Sequence, residues 1–453
     1  MASVRSHENI ELITYSEVVE ISGYVGNFKV KIRKKPRYVD ASKCTGCGTC
    51  QDKCPARTAS EFDLGLGQRK AIYTPFPQAV PNVPVIDTET CIHFTSGKCG
   101  ACQKLCEAKA IDFEQREEVA EVEVGSIIVT TGFDSLDPSD MTQFGYGRYD
   151  NVITGIQFER MSNASGPTGG RIMLKDGSIP HRIAILHCIG SRDVNYHEYC
   201  SRVCCMYSLK FSHLLREKIP DAEIYQLYID LRCFGKGYEE FYNRLQEEGV
   251  NFVRGKAGEI TDIAESPEEE GKLIVIAEDT LVRRKRRTPV DMVVLSTALE
   301  PRADADEVAR LFSISRSKDG FFLEKHPKLD PVATTTDGIF VAGCCQGPKD
   351  IPDTVAQASA AAARVIAMID KGVVAIESAI SVIDEDLCCG CKTCVSICPY
   401  TAISFDEEKQ VSVINEALCK GCGTCAATCP SGAITSRHFT TEQIVAQIEG
   451  AMV

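Results

Sequence analysis

The chain has 453 residues and a formal net charge of −13, and 24 of its residues are cysteine. The acidic balance argues against nucleic-acid binding, because phosphate groups would be repelled, and a chain of this length is expected to form about three domains that need no disulfides. The N-terminal residues carry no apolar signal segment, and no apolar run reaches the roughly 18 residues of a membrane span, so we expect a cytoplasmic protein with reduced thiols.

The first cysteines along the chain form two groups with the spacing of a ferredoxin module. In a CxxCxxCxxxCP run, three close cysteines bind one [4Fe–4S] cube and the fourth reaches a neighbouring cube. The first group has this spacing before Pro55, whereas the second has a long gap after its first member. The groups are Cys44, Cys47, Cys50 and Cys54, and Cys91, Cys99, Cys102 and Cys106. The same rule predicts that Cys106 completes the first cluster and Cys54 the second.

Outside the cysteine groups the sequence carries alternating strand and helix signals. Period-2 alternation predicts strands, and nearly continuous apolar runs predict strands that are buried on both faces. Breaks at Gly23 and Gly26 predict antiparallel strands within 10–34. The other predicted elements are a strand pair over 119–131, a strand over 181–190, a helix over 198–218, a strand from 223, an exit strand over 291–297, a strand over 338–342 and a helix beginning near 352. This order predicts an α/β fold.

Two charged segments stand out in the middle of the chain. The basic run from Arg283 to Arg287 follows the acidic loop from Glu268 to Glu270. We interpret both as solvated edges of a hairpin. The alternative is that the arginines bind a partner or a nucleotide phosphate.

A fifth cysteine group lies within the α/β segment, and it comprises Cys188, Cys200, Cys204 and Cys205. Cys200 and Cys204 are expected on one face of the predicted helix, with Cys205 one residue further round. Cys188 ends the preceding strand. Because the end of a strand and the start of the next helix are adjacent in a βαβ unit, the four thiols could converge. Buried packing is the alternative interpretation from the residues alone. The cysteines outside every group are interpreted as packing residues, namely Cys233, Cys344, Cys345 and Cys389.

The C-terminal cysteines repeat the ferredoxin spacing twice without irregularity. The two groups are Cys388, Cys391, Cys394 and Cys398 before Pro399, and Cys419, Cys422, Cys425 and Cys429 before Pro430. The crossing rule assigns Cys429 to the first cluster and Cys398 to the second. Zinc also binds CxxC pairs, but eight cysteines in two sets of three plus one favour clusters over tetrahedral zinc.

The sequence argues against a nicotinamide site in the α/β segment. Such a site needs GxGxxG after a strand, so that the backbone can approach a pyrophosphate at a helix N-terminus. After the strand that ends at Cys188 there is one glycine, Gly190, followed by Ser191 and Arg192. NAD(P)H oxidation by this chain is therefore the weaker hypothesis, and flavin and cluster chemistry the stronger one.

Four segments carry a resemblance to one family: CIGSRD at 188–193, YCSRVCCMYSLK at 199–210, DLRCFGKGYEEFY at 230–242 and GPKDIPDTVAQAS at 347–359. Together they resemble the A subunit of heterodisulfide reductase (HdrA) and its bacterial relatives over almost the whole chain. The resemblance implies that Cys188, Cys200, Cys204 and Cys205 hold an unusual [4Fe–4S] cluster at the place where a nicotinamide enzyme binds its dinucleotide.

The fold that the resemblance implies is a thioredoxin-reductase-like two-domain flavoprotein core with a truncated FAD half and two ferredoxin modules. The expected layout is a partial FAD-type domain at 1–40, an inserted ferredoxin module at 41–115, a return to the FAD-type domain at 116–150, a Rossmann-like domain at 151–300, the C-terminal part of the FAD-type domain at 301–372 and a second ferredoxin module at 373–453.

The second half of an FAD site is present in the sequence, but the strand with GxGxxG that opens such a site is not found before Ile10. The helix expected near Pro352 would direct its positive end at the flavin pyrimidine, and Lys349 could add charge there. Cys344 replaces the aspartate that usually follows the AG pair. Either a partner chain supplies the missing half, which we favour, or the domain has lost FAD and remains as a scaffold. The candidate contacts are Thr131, Gly132, Gly343, Cys344, Gly347, Lys349, Asp350, Ile351, Thr354, Val355 and Gln357.

The resemblance implies an electron-transfer component of a multi-subunit anaerobic oxidoreductase, with five [4Fe–4S] clusters and an FAD that bifurcates or confurcates electrons. The implied partners are ferredoxin, heterodisulfide-reductase-like B and C subunits, and hydrogenase-like or NADH-dehydrogenase-like delta subunits, in an assembly that is often dimeric. The alternatives are a non-catalytic iron–sulfur relay and assembly scaffold without flavin, and an NAD(P)H-dependent flavoprotein oxidoreductase.

Overall fold

A computed structural model describes residues 2–373 and 378–452. The chain begins with a short helix and a β-hairpin: α1 (Ala2–Ser6), β1 (Ser16–Tyr24) and β2 (Asn27–Lys34). Gly23 and Gly26 adopt φ values of +89° and +88°, and a Cβ on Gly23 would lie 2.0 Å from the Asn27 carbonyl oxygen. The predicted antiparallel pair with a glycine turn is therefore confirmed, beginning at Ser16.

The first cysteine-rich region is built from very short elements around its own small core. They are α2 (Thr49–Asp52), β3 (Arg57–Ala59), β4 (Gln68–Lys70), β5 (Ile72–Tyr73), β6 (Val85–Ile86), α3 (Ile92–Ser96) and α4 (Ala101–Leu105). β3 pairs with β4 and β5 with β6, both antiparallel. Ile72, Ile86 and Ile111 are buried at the centre together with Cys91, and five further cysteine side chains pack against this core. The cysteines are thus part of this core.

The next strands return to the hairpin and then leave it: β7 (Glu118–Val124), β8 (Ile127–Val129) and β9 (Asp134–Ser135). β7 pairs antiparallel with β2 and completes a three-stranded sheet. The sequence predicted one strand pair over 119–131, and this was wrong in its pairing, because β8 pairs with a strand near residue 340 and not with β7. The chain changes direction at Gly125 and Ser126, so β8 pairs with a different strand, although its Val129 packs in the same core as Phe28 and Val30 of β2.

The middle of the chain forms a five-stranded parallel sheet with helices, and three further strands form a separate antiparallel sheet. The parallel strands lie in the order β10, β17, β11, β12, β13, which is a Rossmann-like arrangement. β11 and β17 are central and almost wholly buried, as their continuous apolar sequences predicted. The elements are β10 (Val152–Thr154), α5 (Gly155–Ser162), β11 (Arg182–Ile189), α6 (Cys204–Lys218), β12 (Glu223–Tyr228), α7 (Tyr238–Glu247), β13 (Asn251–Arg254), β14 (Ala257–Thr261), β15 (Leu273–Asp279), β16 (Arg284–Val290), β17 (Met292–Thr297) and β18 (Leu299–Glu300).

Helix α6 begins at Cys204, six residues later than the predicted start at 198. Arg202 adopts a left-handed conformation with φ of +59°, which no α-helix accommodates. Its backbone N–H donates to the Cys200 sulfur at 3.3 Å instead of joining a helix. Cys200 therefore lies in a loop, and the prediction that it shares a helical face with Cys204 was wrong.

The charged segments are mostly exposed at the edge of the β15–β16 hairpin, as predicted, and Glu269 is the exception. Glu269 is 6% exposed, and its carboxylate accepts a hydrogen bond of 2.8 Å from the Arg287 guanidinium. That guanidinium lowers the pKa of Glu269 to about 2. This pair ties a short 3₁₀ helix (Pro267–Glu269) to β16, so Arg287 is not free to bind a phosphate.

The chain then completes the second part of the flavoprotein-like region with α8 (Ala305–Leu311), β19 (Ile339–Val341) and α9 (Ile351–Lys371). β19 runs parallel to β8, so the carboxyl ends of the two strands lie at the same edge. Asp350 caps α9, because its carboxylate accepts from the Asp353 N–H at 2.9 Å. The predicted strand and helix are confirmed within two residues.

The last region repeats one short motif twice. Its elements are β20 (Ser381–Ile383), α10 (Thr393–Ile397), β21 (Ile403–Asp406), β22 (Val411–Ile414), α11 (Thr424–Thr428), β23 (Ile434–Ser436) and α12 (Thr441–Ala451). β20 pairs with β23 and β21 with β22, both antiparallel. Among the residues that the structure describes, no helix has both the length and the apolar character to cross a membrane. The predicted α/β class is confirmed.

Candidate iron–sulfur and flavin sites

The eight cysteines of the first module line two separate cavities, and each cavity takes its cysteines from both groups. One cavity is lined by Cys44, Cys47, Cys50 and Cys106. The other is lined by Cys54, Cys91, Cys99 and Cys102. These are the crossed sets that the spacing rule predicts. Burial raises the pKa of both Cys50 and Cys102 to about 11, so iron binding would have to displace their protons.

The C-terminal module buries the third cysteine of each group in a shared apolar core. Cys394 and Cys425 are each 7% exposed and pack with Ile403 and Ile434. Each sulfur also contacts a buried hydroxyl: Cys394 lies 3.2 Å from the Ser412 Oγ, and Cys425 lies 3.4 Å from the Ser381 Oγ. The two halves thus repeat the same local environment.

Glycines allow these loops to turn as tightly as a cubane cluster requires. Gly390 and Gly421 precede cysteines and adopt φ values of +68° and +63°. A Cβ on Gly421 would lie 2.2 Å from the Ala379 carbonyl oxygen, and a Cβ on Gly390 would lie 2.8 Å from the Gln410 carbonyl oxygen. Only glycine fits this approach, so the residues present fit a cluster-binding loop.

Backbone N–H groups surround several of the cysteine sulfurs. These donors favour the thiolate and stabilise added negative charge on a cluster, which raises its reduction potential. The pairs are the Gly46 N–H with Cys44 at 3.4 Å, the Ala110 N–H with Cys106 at 3.3 Å, the Ala402 N–H with Cys398 at 3.4 Å and the Ser381 N–H with Cys419 at 3.5 Å.

Within residues 2–373 and 378–452, no three His, Cys, Asp or Glu side chains are grouped as the ligands of one metal ion. Zinc collects its thiolates on a single ion at about 2.3 Å each. A cubane binds one thiolate at each of four separate irons, so its ligands lie further apart.

Three of the four central cysteines interact with one another. The single S–H of Cys204 can donate to the sulfur of either Cys188 or Cys205, and this hydrogen bonding lowers the pKa of both. The same interactions, together with burial, raise the pKa of Cys204. Cys200 lies apart in the loop, half-buried, and both it and Cys188 act electrostatically on Arg192. The structure therefore brings Cys188, Cys204 and Cys205 together and places Cys200 beside them.

The backbone around the central cysteines is strained. Cys188, Arg192 and Arg202 have φ values of +59°, +54° and +59°, which are uncommon for residues with side chains. Such outliers persist only where the surrounding structure holds them, and they concentrate at functional sites. Ser201, fully buried, anchors the loop through its Oγ, which lies 2.6 Å from the Ser191 Oγ and accepts from the Leu299 N–H at 3.0 Å.

A buried polar pair lies under these cysteines, and the sequence reasoning missed it. The His187 ring hydrogen-bonds through Nε2 to the Gln226 Oε1. The Gln226 amide nitrogen donates to the Ser208 carbonyl and the Ser212 hydroxyl, which fixes its oxygen toward the histidine. The His187 Nδ1 makes no hydrogen bond to nitrogen or oxygen and lies beside Cys205. A signal existed in the sequence, because both residues interrupt apolar strands that are adjacent in the sheet.

The turn after β11 is filled by packed and paired side chains. A Cβ on Gly190 would lie 2.6 Å from the Leu136 Cδ1, so this glycine allows close packing against a side chain. The Arg192 guanidinium that follows is paired with Asp230 at 2.8 Å. The described residues of this turn offer no glycine-lined space for a pyrophosphate.

The candidate flavin contacts meet at the carboxyl ends of β8 and β19. Backbone N–H groups of Thr131 and Gly132 face the Cys345 sulfur, and the Gly343 N–H donates to the Gln357 Oε1 at 2.8 Å. Ligands of parallel α/β sheets bind at such edges. The other candidates lie in the β19–α9 loop and the first turns of α9, namely Cys344, Gly347, Lys349, Asp350, Ile351, Thr354 and Val355.

Lys349 is hydrogen-bonded within its own loop. Its ammonium donates to the carbonyls of Gly343 and Gly347 at 2.8 and 2.7 Å and to the Gln346 side chain at 3.0 Å. Burial lowers its pKa. The three oxygens satisfy every donor of the ammonium, so Lys349 fixes the loop from inside and does not point into solvent.

The cysteines outside the groups divide into two kinds. Cys345 is buried in an apolar core, and Cys233 borders another, which agrees with their interpretation as packing residues. The Cys344 thiol is half-buried and lies 3.5 Å from the Lys349 carbonyl. Cys389 is exposed, so its interpretation as a packing residue was wrong.

Two family models match the cysteine-rich regions. A 4Fe-4S dicluster domain matches residues 381–436, and a 4Fe-4S binding domain matches residues 37–58. Together with the cysteine-lined cavities, they define an iron–sulfur electron-transfer protein.

Curated relatives match the whole chain. The chain is 51% identical to the A subunit of the H(2):CoB-CoM heterodisulfide,ferredoxin reductase of Methanothermobacter marburgensis and covers 67% of that protein. It is 55% identical to an iron-sulfur A subunit of the CoB--CoM heterodisulfide reductase of Methanopyrus kandleri and covers 68% of it. The chain belongs to the HdrA family of heterodisulfide reductase components, as the sequence motifs predicted.

Solved structures with a similar fold are more distant. A thioredoxin reductase of T. acidophilum is 11% identical, with 67% of this chain and 86% of that chain covered and a TM-score of 0.34. The thioredoxin reductase of Lactococcus lactis is 14% identical at the same TM-score, with 66% and 86% covered. The fold assignment therefore rests on the strand order and on the two family models.

Proposed function

We propose that this chain is the electron-relaying component of a multi-subunit cytoplasmic oxidoreductase and that it holds five [4Fe–4S] clusters and shares an FAD with a partner chain. The observation that carries the proposal is that two ferredoxin modules and a third thiol group occur in one chain, with the first module's cysteines lining two crossed cavities. The proposed domains are those at 1–40, 41–115, 116–150, 151–300, 301–372 and 373–453.

The clusters would pass single electrons, and FAD would connect them with two-electron partners. This chain's residues set the conditions for that transfer. Backbone N–H groups at the cysteine sulfurs stabilise the reduced clusters, and the apolar cores of the modules exclude water from them. The central cysteines would hold their cluster on the Rossmann-like sheet, with His187 and Gln226 beneath it.

The shared FAD is supported by an incomplete parallel sheet. Among the described residues, β8 and β19 form a two-stranded parallel sheet, and parallel sheets are normally extended and covered on both faces. The face of α9 that points away from this sheet is apolar and exposed: Val355, Ile366 and Ile369 are 59, 65 and 62% exposed. A helix that is apolar all round belongs in a core. A partner that adds strands beside β8 and covers α9 would complete the site and supply the pyrophosphate turn.

The relatives' names suggest where the electrons go. One relative, from Methanosarcina acetivorans, is named as the A subunit of a ferredoxin/F(420)H(2)-dependent CoB-CoM heterodisulfide reductase. We propose ferredoxin, heterodisulfide-reductase-like B and C subunits and delta-type subunits as partners of this chain. With these partners the FAD would bifurcate or confurcate electrons, in an assembly that contains two copies of the chain.

The second candidate is a relay and assembly scaffold without flavin. It is favoured by one observation: the ammonium of Lys349 is bound by loop oxygens and is not available to a flavin.

Iron and flavin analysis of the anaerobically purified complex separates the two candidates. We expect about twenty irons per copy of this chain and one FAD, with flavin lost when the partner is removed. The same iron content without FAD would instead support the scaffold without flavin. Reduction of the flavin by NAD(P)H in this chain and its FAD-bearing partner alone would contradict both and favour a nicotinamide-dependent enzyme.

A further inference from the structure

One ion pair joins the central cysteine loop to the flavin end of α9. The Arg202 guanidinium donates to the Asp353 carboxylate at 2.6 Å. Arg202 lies between Cys200 and Cys204 in the sequence, and Asp353 lies in the first turn of α9. This ion pair therefore connects the two candidate redox sites of the flavoprotein-like core directly.

The backbone of Arg202 is engaged as closely as its side chain. Its N–H donates to the Cys200 sulfur at 3.3 Å, and its φ of +59° is a strained value. The guanidinium carbon also lies 5.3 Å from the centre of the Phe234 ring, a cation–π contact that limits its orientations. Movement of the guanidinium would therefore move the loop that carries Cys200.

Stability alone does not account for this pair. The two side chains are 39 and 47% exposed, and exposed ion pairs contribute little to stability. A non-glycine residue in the left-handed region is destabilised, because its Cβ lies too close to the following carbonyl oxygen. The ion pair does not offset this strain, and strained residues of this kind concentrate at functional sites.

We propose that Arg202 is a positioning residue that sets the separation and the relative potentials of the central cluster and the flavin. Its backbone fixes the Cys200 sulfur, and its side chain neutralises Asp353. The flavin half of this inference rests on the proposed function, whereas the effect on the cysteine loop does not.

The electrostatic part follows from the helix end. The N-terminus of α9 carries a partial positive charge, which favours a reduced, anionic flavin ring. An unpaired Asp353 in the first turn would oppose that effect. With Arg202 paired to it, the Asp353 carboxylate is neutralised and adds no negative charge to that of the Asp350 cap. Loss of Arg202 should therefore lower the flavin potential and loosen the Cys200 loop at the same time.

The test uses Arg202→Gln, Arg202→Lys and the charge-reversed double variant Arg202→Asp with Asp353→Arg, all in the intact complex. The matched control is Arg182→Gln, which removes the pair between Arg182 and Glu223 at the other end of β11. That pair has similar exposure, at 38 and 49%, and a distance of 3.1 Å. The measurements are amide exchange over 199–204, the electron paramagnetic resonance signal of the central cluster, the flavin potential and the iron content.

In Arg202→Gln we expect at least tenfold faster exchange over 199–204, an altered central-cluster signal and a lower flavin potential, with ferredoxin-module iron unchanged. Arg202→Lys should recover most of the potential but not the exchange protection, because lysine restores the charge without the planar fork. The double variant should recover the flavin potential in part. Exchange and spectra in Arg202→Gln that match those of Arg182→Gln would overturn the inference.

The outcomes also separate this inference from the proposed function. If the wild-type complex contains no flavin, the shared-FAD proposal fails, and exchange and the cluster signal still decide the role of Arg202 at Cys200. If flavin is present and its potential is the same in Arg202→Gln as in the wild type, the electrostatic role of Arg202 is wrong while the shared FAD stands.

Discussion

The ferredoxin modules and the central cysteine group place their sulfurs by opposite means. In the modules, turns and helices of four or five residues carry the cysteines, so the spacing itself sets the geometry. In the central group, the sulfurs come from a strand end, a loop and a helix start that meet only because the parallel sheet forms. The first kind of site is encoded locally, and the second is encoded by the fold.

The strongest test of this contrast is removal of one sulfur at the centre. Cys204→Ala should eliminate the central cluster, because this thiol contacts both Cys188 and Cys205. We expect the loss of about four irons and of one paramagnetic signal, with the module signals intact. Iron content equal to that of the wild type would show that the central group holds no cluster.

Within the first module, single removals test the crossing. Cys106→Ala should remove the cluster of Cys44, Cys47 and Cys50, whereas Cys54→Ala should remove the other one, because each cavity takes its fourth cysteine from the opposite group. Mössbauer spectra of ⁵⁷Fe-labelled variants, each compared with a Cys47→Ala reference, give the assignment. A Cys54→Ala spectrum that matched the Cys47→Ala reference would mean that each group binds its own cluster.

The tight turns that position the cysteines of the C-terminal module depend on glycines. Gly423→Ala places a side chain in open space at φ of +74° and should cost about 1–2 kcal/mol. Gly421→Ala should cost more, because its Cβ would also overlap the Ala379 carbonyl oxygen. We expect faster iron release from this module in Gly421→Ala than in Gly423→Ala, measured with a chelator. Equal rates would mean that the Cys419 loop does not need its tight turn.

The smallest expected effect compares two capping boxes. Thr154 caps α5 inside the core and Thr440 caps α12 at the edge, each with a glutamine three residues on. Alanine at either position should weaken its helix by about 1 kcal/mol. Only Thr154→Ala should speed amide exchange in neighbouring elements, because α12 has no buried residues. Faster amide exchange in the strands of the C-terminal module in Thr440→Ala would contradict this expectation.

The sequence predicted the locally encoded features well. Spacing alone gave the crossed sets of the first module, and apolar runs gave the central strands β11 and β17. It failed where a distant contact decides the outcome. The helix start at 198 was wrong because the buried Ser201 hydroxyl accepts from the Leu299 N–H, far along the chain, and holds the preceding residues in a loop. The pairing of β7 with β8 was wrong because β8 pairs with β19.

The outer surface of α9 has a practical consequence for anyone who produces this protein. Over six turns it exposes isoleucine, valine and alanine with few charges among them. Chains that are produced without their partner should therefore aggregate and precipitate, because large exposed apolar patches promote aggregation. Co-expression with the partner gene, or a charged residue at Ile366, should yield dispersed material where the chain alone does not.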